Sequence, residues 1–139
     1  MSWITENLIL STKDAQMTGF VYSSGGGMTG GFSRMSITAS DDKNAKIVSE
    51  GKDWHNSKPV QNERLVQRTV LDEIETVFRQ NNMEEWQGKV FTDFFVCDGP
   101  SYNYYFTFDN GAQIQFSSQV FPEPYSGILR EIDEIIKKY

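Results

Sequence analysis

The chain has 139 residues, the length of one domain, with 38% hydrophobic residues, 14% aromatic residues and a formal net charge of −6. This length is sufficient to bury a core, and the aromatic fraction predicts that rings form much of it. The negative charge disfavours nucleic acid and anionic membrane surfaces as partners, and it is compatible with solubility or with a basic protein partner. We therefore expect a single soluble domain over residues 1–139.

Compartment signals are few. Cys97 is the only cysteine, so no disulfide can form within the chain. The first sixteen residues lack the basic and apolar regions of a secretory signal, and no stretch approaches the roughly 18 apolar residues of a membrane span. The sequence as written predicts a cytoplasmic protein with no membrane span, and a cell-surface location would require that a leader had been removed.

Three strands are predicted in the first half of the chain. Residues 17–22 form an apolar run, and Phe32–Ala39 alternates between apolar and polar side chains, which is typical of a half-buried strand. Residues 45–50 are expected to return beside that strand after a polar turn, and residues 51–61 are expected to form a loop. The pattern therefore begins with antiparallel strands.

A glycine-rich segment from Gly25 to Gly31 separates the first two predicted strands. It satisfies the G-x-G-x-x-G pattern, but a dinucleotide site needs a helix directly after the glycines, so that the helix N-terminus meets the pyrophosphate. Here a strand pattern follows, and the lysine of a Walker-type loop is missing. We interpret the segment as a hairpin connection or wide bulge, we retain Gly26 and Gly27 as candidate contacts to a partner, and we predict no cofactor.

Two helices are predicted in the second half. Apolar residues recur every three or four positions over residues 63–80, which predicts an amphipathic helix with Asn62 as its N-cap. A similar stripe over residues 126–138, with two lysines near its end, predicts a closing helix that follows a proline-containing break.

Two further strands are predicted over residues 102–108 and 112–118. On the first strand the even positions are all aromatic and are expected to face the core together with Ile114 and Phe116. The odd positions face the other side. The resulting order, roughly β-β-β-α-β-β-α, predicts an α+β fold: an antiparallel sheet of about five strands with two helices packed on one face.

The turn at residues 109–111 fixes the register of these two strands. A two-residue Asn-Gly turn would place Phe108 opposite Gln113 and mix apolar with polar side chains on one face. A three-residue loop places Phe108 opposite Ala112 and brings every large apolar side chain to the same side. We therefore predict a type I turn with Gly111 in the left-handed conformation.

Residues that could carry catalysis are sparse. His55 is the only histidine. A nucleophilic pair with Cys97 is conceivable, but Cys97 lies in an apolar run typical of a core, and one histidine with one cysteine is too few for a structural zinc site. No catalytic residue and no metal ligand is assigned. The alternative function, an enzyme or small-ligand binder, would use the glycine segment with His55, Asp53 and Asp98.

A neutral hydrogen-bonding face is the best candidate for a recognition surface. Tyr105 is expected to lie opposite the aromatic core face, among amide and hydroxyl side chains suited to protein or glycan contact. The first functional prediction is therefore a non-enzymatic binding or interaction module for another protein, of the kind in which an immunity protein inhibits a toxin. The candidate binding residues are Tyr105, Asn103, Gln113, Gln115, Gly26, Gly27 and His55.

The C-terminal half also carries a set of short motifs. These are Trp86-x-Gly88, Asp98-Gly99-x-Ser101-Tyr102, a hairpin with an Asn-Gly turn, Pro122 and an amphipathic last helix. Over residues 63–139 this order resembles a group of uncharacterised small proteins and lipoproteins from Gram-positive anaerobes. The resemblance implies no activity and carries over no catalytic residue, and this chain departs from the group in lacking a lipoprotein leader.

Overall fold

The computed structural model describes residues 11–25, 31–52, 58, 60–91 and 101–139. Nine elements follow one another in these residues, a short 3-10 helix among them. They are β1 (Met17–Gly25), β2 (Phe32–Ala39), β3 (Asn44–Lys52), β4 (Val60–Gln67), α1 (Thr69–Gln80), the 3-10 helix (Met83–Trp86), β5 (Ser101–Phe108), β6 (Gln113–Ser118) and α2 (Tyr125–Lys137).

The strands form one antiparallel sheet in the order β4-β3-β2-β1-β5-β6. Both helices pack on the same side of it, which we call the inner face: Phe78 of α1 lies 5.2 Å from the Phe106 ring, and Ile132 of α2 lines a cavity together with Phe20. The predicted α+β class is confirmed. The sheet has six strands in the described residues rather than about five.

The additional strand is β4, and it corrects the predicted helix over residues 63–80. That helix begins at Thr69, because the preceding residues pair with β3 from Gln67 opposite Asn44 to Val60 opposite Gly51. Asn62 therefore lies within a strand and caps no helix. Pairing with β3 satisfies the backbone N–H and C=O groups of these residues that a helix would otherwise have satisfied. Because β4 is an exposed edge strand, its sequence lacks the alternation of apolar and polar residues that marks a half-buried strand.

The loop predicted over residues 51–61 is shorter than expected, because both flanking strands extend into it. Gly51 and Lys52 complete β3, and Val60 and Gln61 begin β4. The glycine segment joins neighbouring antiparallel strands, with Gly25 opposite Phe32. A strand rather than a helix follows the glycines, as predicted.

The register predicted for the β5–β6 hairpin is confirmed. Phe106 lies opposite Ile114, and the Phe108 N–H donates to the Ala112 carbonyl at 3.0 Å. Gly111 has a φ of 88°, the left-handed conformation that closes a three-residue loop. The hydrophobic pattern therefore prevailed over the default two-residue Asn-Gly turn.

The core lies where α1 covers the inner face. Phe20 is 1% exposed and Phe106 is fully buried, with their ring centroids 5.2 Å apart. A second aromatic cluster forms around Trp86, whose ring lies 5.3 Å from Phe116 and 5.0 Å from Tyr125 at the start of α2. Tilted and edge-on rings are a favourable arrangement in protein cores.

A polar network attaches the segment before β1 to α1. Thr12, which is fully buried, donates its hydroxyl to the Glu84 carboxylate at 2.8 Å and accepts a hydrogen bond from the Arg79 guanidinium at 3.0 Å. Arg79 also donates to the Ala15 carbonyl at 2.7 Å. The backbone N–H and hydroxyl of Thr12 hold the pKa of Glu84 below its usual value. In the described part of the chain, neither helix is long and apolar enough to cross a membrane.

Candidate functional site

A cavity lies between α2 and the inner face, where the helices leave part of the sheet uncovered. It has a volume of about 580 Å³ and opens to the surface. We call it the groove. Strands β1, β2 and β5 form its floor, and α2 with the segment before it forms its wall. The side chains that define its chemistry are Tyr22, Met35, Tyr102, Tyr104, Phe121 and Asp133.

Strand periodicity places the floor residues. Side chains two positions apart share a face, so Tyr22 follows Phe20 on β1, and Tyr104 precedes Phe106 on β5, on the inner face. Tyr22 lies opposite both Tyr104 on β5 and Met35 on β2. These three side chains therefore form one row across the sheet.

The rings of the groove stand at steep angles to one another. The Tyr22 and Tyr104 centroids are 5.0 Å apart with planes at 50°, and Phe121 stands at 88° to Tyr104 at 5.6 Å. Each of the three rings is half-buried. The groove therefore has aromatic surfaces on its floor and at its side.

The electrostatic environment of Tyr104 is distinctive. Burial is the main cause that raises the pKa of its hydroxyl well above the usual value, and the neighbouring Tyr22, Asp133 and Tyr102 raise it further. Among the described residues, none accepts a hydrogen bond from this hydroxyl. At neutral pH the group is a protonated donor beside negative charge.

The charged groups at the mouth of the groove are paired with one another. Arg130 donates to Glu123 at 2.9 Å, and Lys137 lies 3.0 Å from Asp133. Hydrogen bonds from Ser126 and Arg130 lower the pKa of Glu123. These pairs are exposed, so they contribute little to stability, but they leave no unpaired cation among the described residues that line the groove.

The groove continues toward the other edge of the sheet. A second depression of about 520 Å³ shares Tyr22, Met35 and Asp133 with it and extends over β2 and β3 to Val60. Val60 is 66% exposed on the inner face, whereas Phe32, 38% exposed at the start of β2, has its side chain on the outer face by strand alternation. The two depressions meet at these shared residues, and the floor of the second is mostly polar, with Ser33, Ser49 and Asn62 among its inner-face residues.

The candidate residues Tyr105, Asn103, Gln113 and Gln115 lie on the opposite, outer face of the sheet. Tyr105 is opposite Gln115 on β6 and Val21 on β1, and Asn103 lies in the next row of the same face. The structure thus brings these four residues onto one surface, against which neither α1 nor α2 packs. A depression of about 420 Å³ adjoins Tyr105 on this face, at Gly19.

The remaining sequence candidates lie outside the described residues. These are Gly26, Gly27, Asp53, His55, Cys97 and Asp98, together with the Asp98-Gly99 part of the family-like motif. In the described ranges, no three His, Cys, Asp or Glu side chains come together as a metal site.

Sequence reasoning missed the groove, because it assigned Tyr102 and Tyr104 to the core. They do share a face with Ile114 and Phe116, but both tyrosines are only half-buried and line the cavity. The sequence did contain one signal. On β1 Phe20 is followed by Tyr22 on the same face, and on β5 Tyr104 and Phe106 lie opposite them, so both strands change from phenylalanine to tyrosine toward the same end of the sheet. A hydroxyl at the end of each ring marks the place where the covered part of the sheet ends.

No family model matches the chain, and no curated protein matches its sequence.

Proposed function

We propose that this protein is a non-enzymatic binding protein that holds a small molecule in the groove. The observation that carries the proposal is the groove itself: about 580 Å³ of space lined by aromatic side chains, three of them tyrosines. Sites for small molecules are typically concave, about 300–1,000 Å³ in volume, and mostly apolar with a few polar groups that orient the ligand.

The chemistry of the lining supports binding rather than turnover. A general base must lose its proton near neutral pH, and the raised pKa of Tyr104 keeps its hydroxyl protonated. Ser126 donates its hydroxyl to Glu123, whose lowered pKa makes this carboxylate a weak base for activating a serine. The described lining residues therefore supply hydrogen-bond donors, apolar contact and one carboxylate, Asp133, which is paired with Lys137.

Filling the groove tests the proposal. Met35→Trp places a bulky ring on the floor, and Ser36→Trp, on the same strand but on the outer face, is the matched control. A panel of neutral, cationic and anionic fragments is titrated against each protein while the methionine methyl resonances and, in all three proteins, the tyrosine ring resonances are followed by NMR. We expect fragments to shift the Met35 methyl in the wild type and to bind Ser36→Trp equally well. Met35→Trp should weaken their binding at least tenfold.

Two results would contradict the proposal. One is a panel in which no fragment moves the Met35 methyl. The other is a panel whose members bind Met35→Trp as tightly as they bind the wild type. Thermal unfolding of both variants verifies that they are folded before the comparison is made.

A second candidate function, a protein-interaction module of the immunity type, is favoured by the outer face. The charged side chains across β2, β3 and β4 are paired there, Arg34 with Glu50 at 3.9 Å and Lys46 with Glu63 at 3.0 Å. The outer-face residues around Tyr105 on β5 and β6 carry no charge themselves and are rich in hydroxyl and amide groups. Such a surface suits a partner protein that presents a polar, uncharged segment.

Substitution of Tyr105 tests this second function. We expect a partner captured by the wild type to be recovered equally by Gln80→Ala, an exposed position on α1, and at least tenfold less by Tyr105→Ala. Recovery of the same partner by Tyr105→Ala at the wild-type level would show that the outer face does not bind it.

A further inference from the structure

We infer that the ligand of the groove is a small organic cation, an alkylammonium or quaternary ammonium group held against the rings of Tyr22, Tyr104 and Phe121. The inference rests on the proposed ligand-binding function and names the chemical class of the ligand.

Ring geometry is the first argument. A cation binds to the negative face of an aromatic ring within about 6 Å of the ring centroid, and quaternary ammonium groups are recognised by several rings at steep angles. In the groove, Tyr22 and Phe121 stand at 50° and 88° to Tyr104, with centroids 5.0 and 5.6 Å from it. Faces of different orientation therefore border the same space.

Charge is the second argument. Asp133 on α2 borders the groove and is the negatively charged side chain in its described lining. After burial and Tyr22, it is a further cause that disfavours ionisation of the Tyr104 hydroxyl. Lys137 partly offsets the Asp133 charge, but this pair is solvent-exposed and Lys137 is not part of the described lining, while Arg130 is paired with Glu123. The net charge of −6 acts in the same direction over longer distances.

The same observations disfavour an anionic ligand. Tyrosine hydroxyls could donate to a carboxylate, but that carboxylate would lie beside Asp133 without a free cation among the described lining residues. A neutral apolar ligand would gain contact with the rings but nothing from the negative charge. A cation gains from both.

Three probes of nearly the same shape separate these alternatives. Choline carries a trimethylammonium head, 3,3-dimethyl-1-butanol replaces the nitrogen with carbon, and 3,3-dimethylbutanoate carries the same tert-butyl head with a carboxylate. Each is titrated against the full chain while the Met35 methyl and the tyrosine ring resonances are followed by NMR. We expect choline to bind about tenfold more tightly than the alcohol, and the carboxylate to bind most weakly.

Variants identify the source of the preference. Tyr22→Leu should reduce the affinity for choline several-fold while leaving that for the alcohol within about twofold, because it removes a ring face and keeps apolar bulk. Asp133→Asn should also weaken choline alone. Glu131→Gln removes a negative charge from an exposed position of α2 outside the groove lining and is the matched control.

The outcomes separate the two proposals. If the alcohol binds the groove as tightly as choline does, or if Asp133→Asn and Glu131→Gln behave alike, the cation inference is overturned and the groove remains a ligand site. If none of the three probes binds but other fragments do, the cation inference is again overturned, and the proposed ligand-binding function is retained. If neither the probes nor any fragment reaches the groove, both proposals fail.

Discussion

Two regions of the same sheet face have different characters. Under α1, Phe106 is fully buried against Phe78 of the helix, and Phe20, 1% exposed, packs beside it at the boundary with the groove. Two residues away on the same strands, Tyr22 and Tyr104 are half-buried and border an open groove. The backbone is the same antiparallel ladder in both regions. The difference is whether a helix covers the rings.

This contrast shows how a core can end within a sheet. A phenylalanine ring has no polar atom, so complete burial is favourable. A tyrosine at the margin keeps its ring against the core and its hydroxyl toward solvent or ligand. The covered region therefore contributes most of the stability, and the uncovered region is available for binding.

The largest expected effect separates the two regions on one strand. Phe106→Ala should destabilise the fold by about 3–5 kcal/mol, because a fully buried ring leaves a cavity. Tyr104→Ala should cost about 1–2 kcal/mol, since a half-buried ring loses less contact. Urea unfolding midpoints measure both. Equal losses would show that the groove rings are as structural as the core rings.

A conservative pair keeps this comparison measurable if Phe106→Ala does not fold. Phe106→Leu and Tyr104→Leu retain apolar volume. We expect Phe106→Leu to lower the free energy of unfolding more than Tyr104→Leu does, by about 1 kcal/mol or less.

An intermediate effect concerns charge in the two regions. Glu84→Gln should cost about 1–2 kcal/mol at pH 7, because the carboxylate accepts hydrogen bonds from the backbone N–H and the hydroxyl of the buried Thr12. Asp133→Asn, in an exposed pair at the groove, should change stability by less than about 0.5 kcal/mol.

The pH dependence of Glu84 has a definite sign. Its pKa is lowered in the folded chain from the usual 4.5, so its stabilisation is present above that value and is lost as the pH falls below about 4.5. The urea midpoints of wild type and Glu84→Gln should therefore converge between pH 5 and pH 3. Glu85→Gln, exposed on the same turn, is the control. A constant difference across this range would exclude a role for the Glu84 charge.

The sequence could predict what depends on neighbouring residues. The register at residues 109–111 followed from alternation alone, because only one loop length puts Phe106 and Ile114 on the same side. The closing helix followed from a long apolar stripe, and the observed bounds, Tyr125–Lys137, differ from the prediction by one residue at each end.

Prediction failed where tertiary partners decide. Residues 63–67 continue the helical stripe of α1, yet pairing with β3 makes them an edge strand whose side chains are mostly exposed. The groove was hidden for a related reason. Its walls come from β1, β2, β5 and α2, and the position of α2 over the sheet is not encoded in the alternation of any one strand.

The smallest expected effect is the sharpest test of what the groove is for. Tyr104→Phe removes a hydroxyl for which no described residue is an acceptor, so stability should change by less than about 0.5 kcal/mol in urea unfolding. A structural hydrogen bond would instead cost about 1–3 kcal/mol when one partner is removed. Phe106→Tyr is the reverse change in the covered region, and it should destabilise, because it buries a hydroxyl. If Tyr104→Phe destabilises as much as Phe106→Tyr does, the groove is only the margin of the core. If it leaves stability unchanged, the Tyr104 hydroxyl has no role in folding and is available to contact the proposed ligand.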